Sequence, residues 1–146
     1  MNRLNPAISF CLTLSLIMIF PLSAFADCEG IAGPARFSLY KNRQATFKSV
    51  VDAGYKQQYK VEWFVGSRSL GSVTKNGGET FILEGSSQTS LAFAITGQHE
   101  KDGRWHVSHY KIFPDREGGI QVRFEDGSCD NSFVTSPDLK VIITID

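Results

Sequence analysis

The strongest constraint on this chain is the period-2 alternation of apolar and polar residues that recurs from Phe37 to the C-terminus, broken at short intervals by turn residues. Successive side chains of an extended strand point to opposite faces, so a run of this kind buries an apolar face only as part of a β-sheet. Tyr59, Val61, Trp63 and Val65 alternate with Lys60, Glu62 and Phe64, and Leu91, Phe93 and Ile95 alternate with Ala92, Ala94 and Thr96. Ile120, Val122 and Phe124 alternate with Gln121, Arg123 and Glu125, and Leu139, Val141, Ile143 and Ile145 with Lys140, Ile142 and Thr144. No stretch of helical length carries an apolar stripe at helical spacing.

Turn chemistry divides these runs. Phe37 and Leu39, then Asn42-Arg43, then Ala45 to Val51 read as a hairpin, and Asn76-Gly77-Gly78 separates a return strand over Leu70–Thr74 from another over Thr80–Leu83. Such residues tolerate positive φ. His99 to Arg104 reads as a charged loop around Asp102-Gly103, followed by one long aromatic strand from Trp105 to Phe113 that Pro114 ends. The β-branched run Leu139–Ile145 has the composition of a strand central enough to bury both faces. About eight short strands at near-regular spacing predict an all-β, antiparallel β-sandwich, with a small closed β-barrel as the alternative.

Val61-Glu62-Trp63-Phe64 followed by Leu70 resembles the Trp-bearing third strand of immunoglobulin-like domains. The resemblance implies an inward indole between two sheets, hence an immunoglobulin-like architecture in the broad sense, and no activity. No cysteines flank the tryptophan as they do in antibody domains.

Residues 1–26 read as a cleaved secretory signal peptide: Arg3 in a short basic n-region, an apolar run from Phe10 to Phe20, Pro21, and Ala24-Phe25-Ala26 at the cleavage site. Residues 27–146 then form a single domain. The apolar run is shorter than the roughly 20 residues of a membrane span, so no membrane anchor is expected after cleavage. Asp27 before Cys28 does not suit a lipoprotein signal. Removal of Arg3 shifts the even balance of 15 basic and 15 acidic residues by one charge to the acidic side, and without a basic surplus nucleic acid is not an expected partner. A secreted or periplasmic location follows. Cys11 leaves with the signal, so Cys28 and Cys129 remain as an even pair in a compartment that permits disulfides. A bridge between them would close a loop of about 100 residues, for which chain entropy gives about 4.7 kcal/mol.

Chemical motifs are scarce. His106 and His109 differ by three positions, so on one strand they would face opposite sides, which opposes metal ligation with His99. Asp126-Gly127-Ser128-Cys129-Asp130-Asn131 alternates oxygen side chains like a calcium loop but lacks the glycine and glutamate that such a loop needs. No metal or cofactor is therefore expected. An acid–base pair of His106 or His109 with Asp102 or Asp115 is the only hydrolase arrangement the sequence offers.

The leading expectation is a non-enzymatic binding module that recognises another protein, of inhibitor, immunity or accessory type. The candidate contacts are Phe64 and Tyr55, aromatic residues with no evident place in a one-sided core, and the loop residues His99, Asp102, Arg104, Asp115 and Arg116. A carbohydrate would also suit exposed aromatic rings. A carrier holding a lipid or other apolar ligand between the sheets is the alternative, and a hydrolase using a His/Asp pair is the third.

Overall fold

The computed structural model describes residues 30–126 and 137–146. The signal segment and the pair Cys28 and Cys129 lie outside the described residues. Among the described residues there are eleven strands: β1 (Ile31–Ala32), β2 (Ala35–Leu39), β3 (Gln44–Val51), β4 (Gln57–Val65), β5 (Arg68–Asn76), β6 (Thr80–Glu84), β7 (Leu91–Lys101), β8 (Arg104–Val107), β9 (His109–Pro114), β10 (Ile120–Glu125) and β11 (Leu139–Ile145). They form two antiparallel sheets. One has the order β1-β9-β10-β11-β3-β6; the other runs β2-β7-β4-β5, with β8 paired to the far half of β7. Both sheets are open, so the fold is a β-sandwich and not a closed barrel.

The alternation read from the sequence decides which face each strand buries. Ala45 and Phe47 of β3, Val122 and Phe124 of β10, and Leu139, Val141 and Ile143 of β11 meet Tyr59 and Val61 of β4 and Leu91, Phe93 and Ile95 of β7. The Phe93 ring stands edge-on to Phe47 across the interface at 5.3 Å and lies tilted on Phe37 at 5.4 Å. Burying a large apolar side chain of this kind contributes about 1.5–3 kcal/mol. β11 lies between β10 and β3, which accounts for its β-branched composition and for the half-buried Ile142 on its outer side. Gly97 has no side chain because the Phe124 ring occupies the space: a Cβ there would lie 2.4 Å from ring carbons.

Trp63 does face inward, as the resemblance implies, but at the rim. It stacks on Phe81 of the opposite sheet at 6.0 Å and lies against Gly71, where a Cβ would meet its ring at 2.7 Å.

Four expectations need correction. β2 and β3 are no hairpin: β2 pairs with β7 in one sheet and β3 with β11 and β6 in the other, so the Asn42-Arg43 turn crosses the sandwich. Alternation cannot separate these cases, because either arrangement turns the same residues inward. His99 to Arg104 is no loop. β7 continues to Lys101 and returns as β8 through Asp102 and Gly103 alone, with φ of 54° and 73°, as a two-residue hairpin with both central residues at positive φ requires. The run Trp105–Phe113 is two strands. It breaks at the buried Ser108, whose N–H donates to the Gly97 carbonyl at 2.9 Å before the chain passes to the other sheet. This break and the additional short strands raise the count from about eight to eleven.

Candidate functional site

At one end of the sandwich β3, β7 and β10 leave their sheets or approach their ends, while β4, β9 and β11 begin. Glu125, Asp126 and Asp138 converge because each sits one or two positions from the terminal apolar core residue of its strand, Phe124 or Leu139, while Tyr55 and His99 reach the same end from the entry to β4 and the far half of β7. Tyr55, ahead of β4, donates its hydroxyl to Oδ2 of Asp138 at 2.7 Å, and the Asp126 N–H donates to the same oxygen at 3.1 Å. Asp138 N–H donates in turn to Oε1 of Glu125 at 3.3 Å. These bonds draw three carboxylates together, so that one oxygen from each lies within 4.8 Å of the others. Burial, followed by the bond to Asp138, pushes the Tyr55 hydroxyl above the ordinary tyrosine range. The oxygen-only character of this set is that of hard divalent cations, and differs from the imidazole set considered from the sequence.

His99, 5% exposed, packs its edge on Tyr55 and holds Ser108 Oγ at 2.9 Å through Nδ1. The ring of His106, directly opposite His99 in the β7–β8 register, stacks on it at 5.6 Å. Burial lowers the His99 pKa below the ordinary histidine value, against the pull of Asp126 and Asp138. An ion pair from Lys56 to Glu100 at 3.2 Å, and the Glu100 N–H on the Lys56 carbonyl, tie the Tyr55 segment to β7. A depression of about 240 Å³ opens between Tyr55, His99, Glu100 and Lys101. A second, of about 340 Å³, lies between Tyr55, Val51, Gln57 and Gly77.

Of the residues selected from sequence, the fold brings together Tyr55 and His99 and disperses the rest. Phe64 lies on the outer face of the five-stranded sheet, half-buried, with the Arg36 guanidinium 5.9 Å from its ring centroid. Asp102 and Arg104 occupy the β7–β8 turn and the start of β8. Asp115 and Arg116 lie in the β9–β10 turn at the opposite end. There the Gln121 side-chain amide donates to Asp115 at 2.6 Å and holds its carboxyl below the usual range. Asp115 follows the whole length of β9 after His109, about 20 Å of extended chain, so the proposed His109–Asp115 acid–base pair does not form. His106 and His109 belong to different sheets, and it is His99 and His106 that share a side.

Glu125, Asp138 and Ser108 were not among the sequence-derived candidates, and Asp126 was considered only as the start of a calcium-type loop that the sequence argued against. The signal that could have found them was positional: Asp126 and Asp138 bracket a single connection, one just after β10 and the other just before β11.

No family model and no curated protein matches the chain. Among solved structures, the chain is similar to the C-terminal domain of the BC2L-C lectin from Burkholderia cenocepacia, at 10% identity and a TM-score of 0.43, covering 77% of this chain and 96% of that one. It is also similar to the Ralstonia solanacearum high-affinity mannose-binding lectin, at 17% identity and a TM-score of 0.41, covering 74% and 92%. At these scores the likeness is one of outline.

Proposed function

We propose that this protein is a non-enzymatic binding module whose ligand is a carbohydrate, bound at the Tyr55–Asp138 end of the sandwich. The observation that carries the reading is the bond from Tyr55, whose ring lines an open depression, to Asp138, one of three clustered carboxylates. A sugar offers apolar C–H faces that pack on a ring and vicinal hydroxyls that donate to carboxylate oxygens in charge-assisted bonds.

The other readings find less support. The exposed apolar residues, among them Ile31, Leu70, Ile82, Trp105 and Ile145, are distributed over both sheets and both ends, unlike the gathered core of a protein interface. The space between the sheets is filled by Phe47, Phe93, Phe124 and Tyr59, which leaves no room for a carried lipid among the described residues. The Ser108–His99 pair is buried, Ser108 at 1% exposure, where a substrate carbonyl has no path to the hydroxyl.

The test is a glycan array followed by calorimetry on the protein, each run in Ca²⁺ and in a chelator. Binding to a glycan that falls at least about tenfold in Tyr55→Ala and Asp138→Asn, equivalent to about 1.4 kcal/mol, with Asp115→Asn at the far end unaffected, supports the reading. Binding indifferent to Tyr55 and Asp138, or none across the array, overturns it. The chelator arm tells direct carboxylate contact from contact through a shared cation.

A further inference from the structure

We propose that the stacked His99–His106 pair is an acid-operated latch that holds β8 against β7 beside the carboxylate trio and releases it on protonation. Its effect on a bound sugar rests on the carbohydrate reading; the latch itself does not.

The geometry supplies both the sensor and the moving part. Among the described residues β8 pairs only with β7, and all four of its residues, Arg104 to Val107, are exposed. It is therefore among the least anchored elements of the fold, of the sort that opens locally before the core does. Its C-terminal half is held by the ladder to β7 at His99↔His106 and Gln98↔Val107, and beyond it by the His106 ring on His99, the His99–Ser108 bond and the Ser108 N–H on Gly97.

The titratable and charged groups facing His99 are His106 from β8, Tyr55 from the segment before β4, Asp126 after β10, Asp138 before β11, and Lys101 on its own strand. Burial is the largest influence and favours the neutral ring; His106 and Lys101 reinforce it, while Asp126 and Asp138 oppose it. A proton on His99 therefore puts a charge where the surroundings resist it. The charge is relieved when the ring gains water, and the element that can yield is the exposed β8. Asp126 and Asp138 attract the imidazolium, so in that open state it competes with a ligand for them.

Because the folded-state pKa of His99 is depressed, the unfolded chain binds more protons between that value and the ordinary 6.5. Stability, global and local, is present above 6.5 and declines as pH falls toward the depressed value.

The test is an NMR titration of the protein from about pH 7.5 to about pH 4.5, spanning the range of histidine switches. It follows the His99 imidazole together with the protection factor of the Ser108 amide, corrected for intrinsic exchange. The expected result is a loss of Ser108 protection of about tenfold or more with the His99 midpoint. The Asp115 amide, bonded to the Gly119 carbonyl at the other end, keeps its protection, and His99→Gln removes the pH dependence at Ser108. His99 titrating with Ser108 protection unchanged overturns the latch. Should His99→Gln fail to fold, His106→Gln at an exposed position decides: loss of a repelling neighbour moves the midpoint to higher pH, and an unmoved midpoint overturns the coupling. These readouts need no ligand, so failure of the glycan array and failure of the latch are distinguishable.

Discussion

Asp138 Oδ2 accepts the Tyr55 hydroxyl at 2.7 Å, joining residues 83 positions apart in the chain. Through the same oxygen Asp138 holds the Asp126 N–H, so a single carboxylate anchors the entry to β4, the exit from β10 and the start of β11. The end of the sandwich is organised around this contact, and its removal bears on stability as well as on any ligand.

Tyr55→Phe removes the hydroxyl and keeps the ring. The bond is partly exposed, so the expected cost is about 0.5–1.5 kcal/mol, read as a lower denaturant midpoint with an unchanged slope. No change in midpoint would mean that water replaces the hydroxyl without loss.

Gly97→Ala places a methyl 2.4 Å from the Phe124 ring, and Phe124 is fully buried in the core. Overpacking of this kind costs roughly 1–3 kcal/mol, which thermal unfolding detects as a clear fall in Tm. Gly54→Ala, where the added carbon meets nothing within 4 Å, is the control and should change little.

Alkaline pH probes the core through Tyr59. Its fully buried ring donates its hydroxyl to the Glu79 carbonyl at 3.0 Å, and burial, with repulsion from Glu79, pushes its pKa up to about 12 from 10.0. The unfolded chain therefore releases this proton first, and stability present below pH 10.0 declines as pH rises toward about 12. Tyr59→Phe removes that share of the decline, at the cost of the hydrogen bond; unfolding midpoints measured across this range would show the two slopes differing.

The exported form is expected to begin at Asp27 and to carry a Cys28–Cys129 bridge. Intact mass with and without reduction and alkylation checks both. An N-terminus elsewhere refutes the cleavage site, and two alkylated thiols without prior reduction refute the bridge.

Much of the fold was legible because alternation is a local property. The inward faces of β4, β7, β10 and β11 were readable from residues such as Tyr59, Phe93, Phe124 and Ile143, since a strand that buries one face writes period 2 into its own sequence. The strand ends were less so. Ser108 stops β8 and starts β9 without a glycine or proline to mark the break, and Asp102-Gly103 gave the same turn signal whether it lay in a long loop or, as here, in a two-residue hairpin.

The site was legible only in fragments. Tyr55 stood out as an aromatic residue without an obvious place in a one-sided core and His99 as a member of an expected charged loop, whereas Asp126 drew notice only within a rejected calcium-type loop and Asp138 drew none. What unites them is the register of β10 with β11 and the position of β4 across the sandwich. Sequence alone therefore determined the all-β class and the face each strand buries, because side-chain direction along an extended chain is fixed by covalent geometry. Tertiary structure alone decided which strands share a sheet, that β2 and β3 part company, and that one tyrosine, three carboxylates and two stacked histidines meet at one end, because strand pairing joins residues whose separation in sequence carries no local signal.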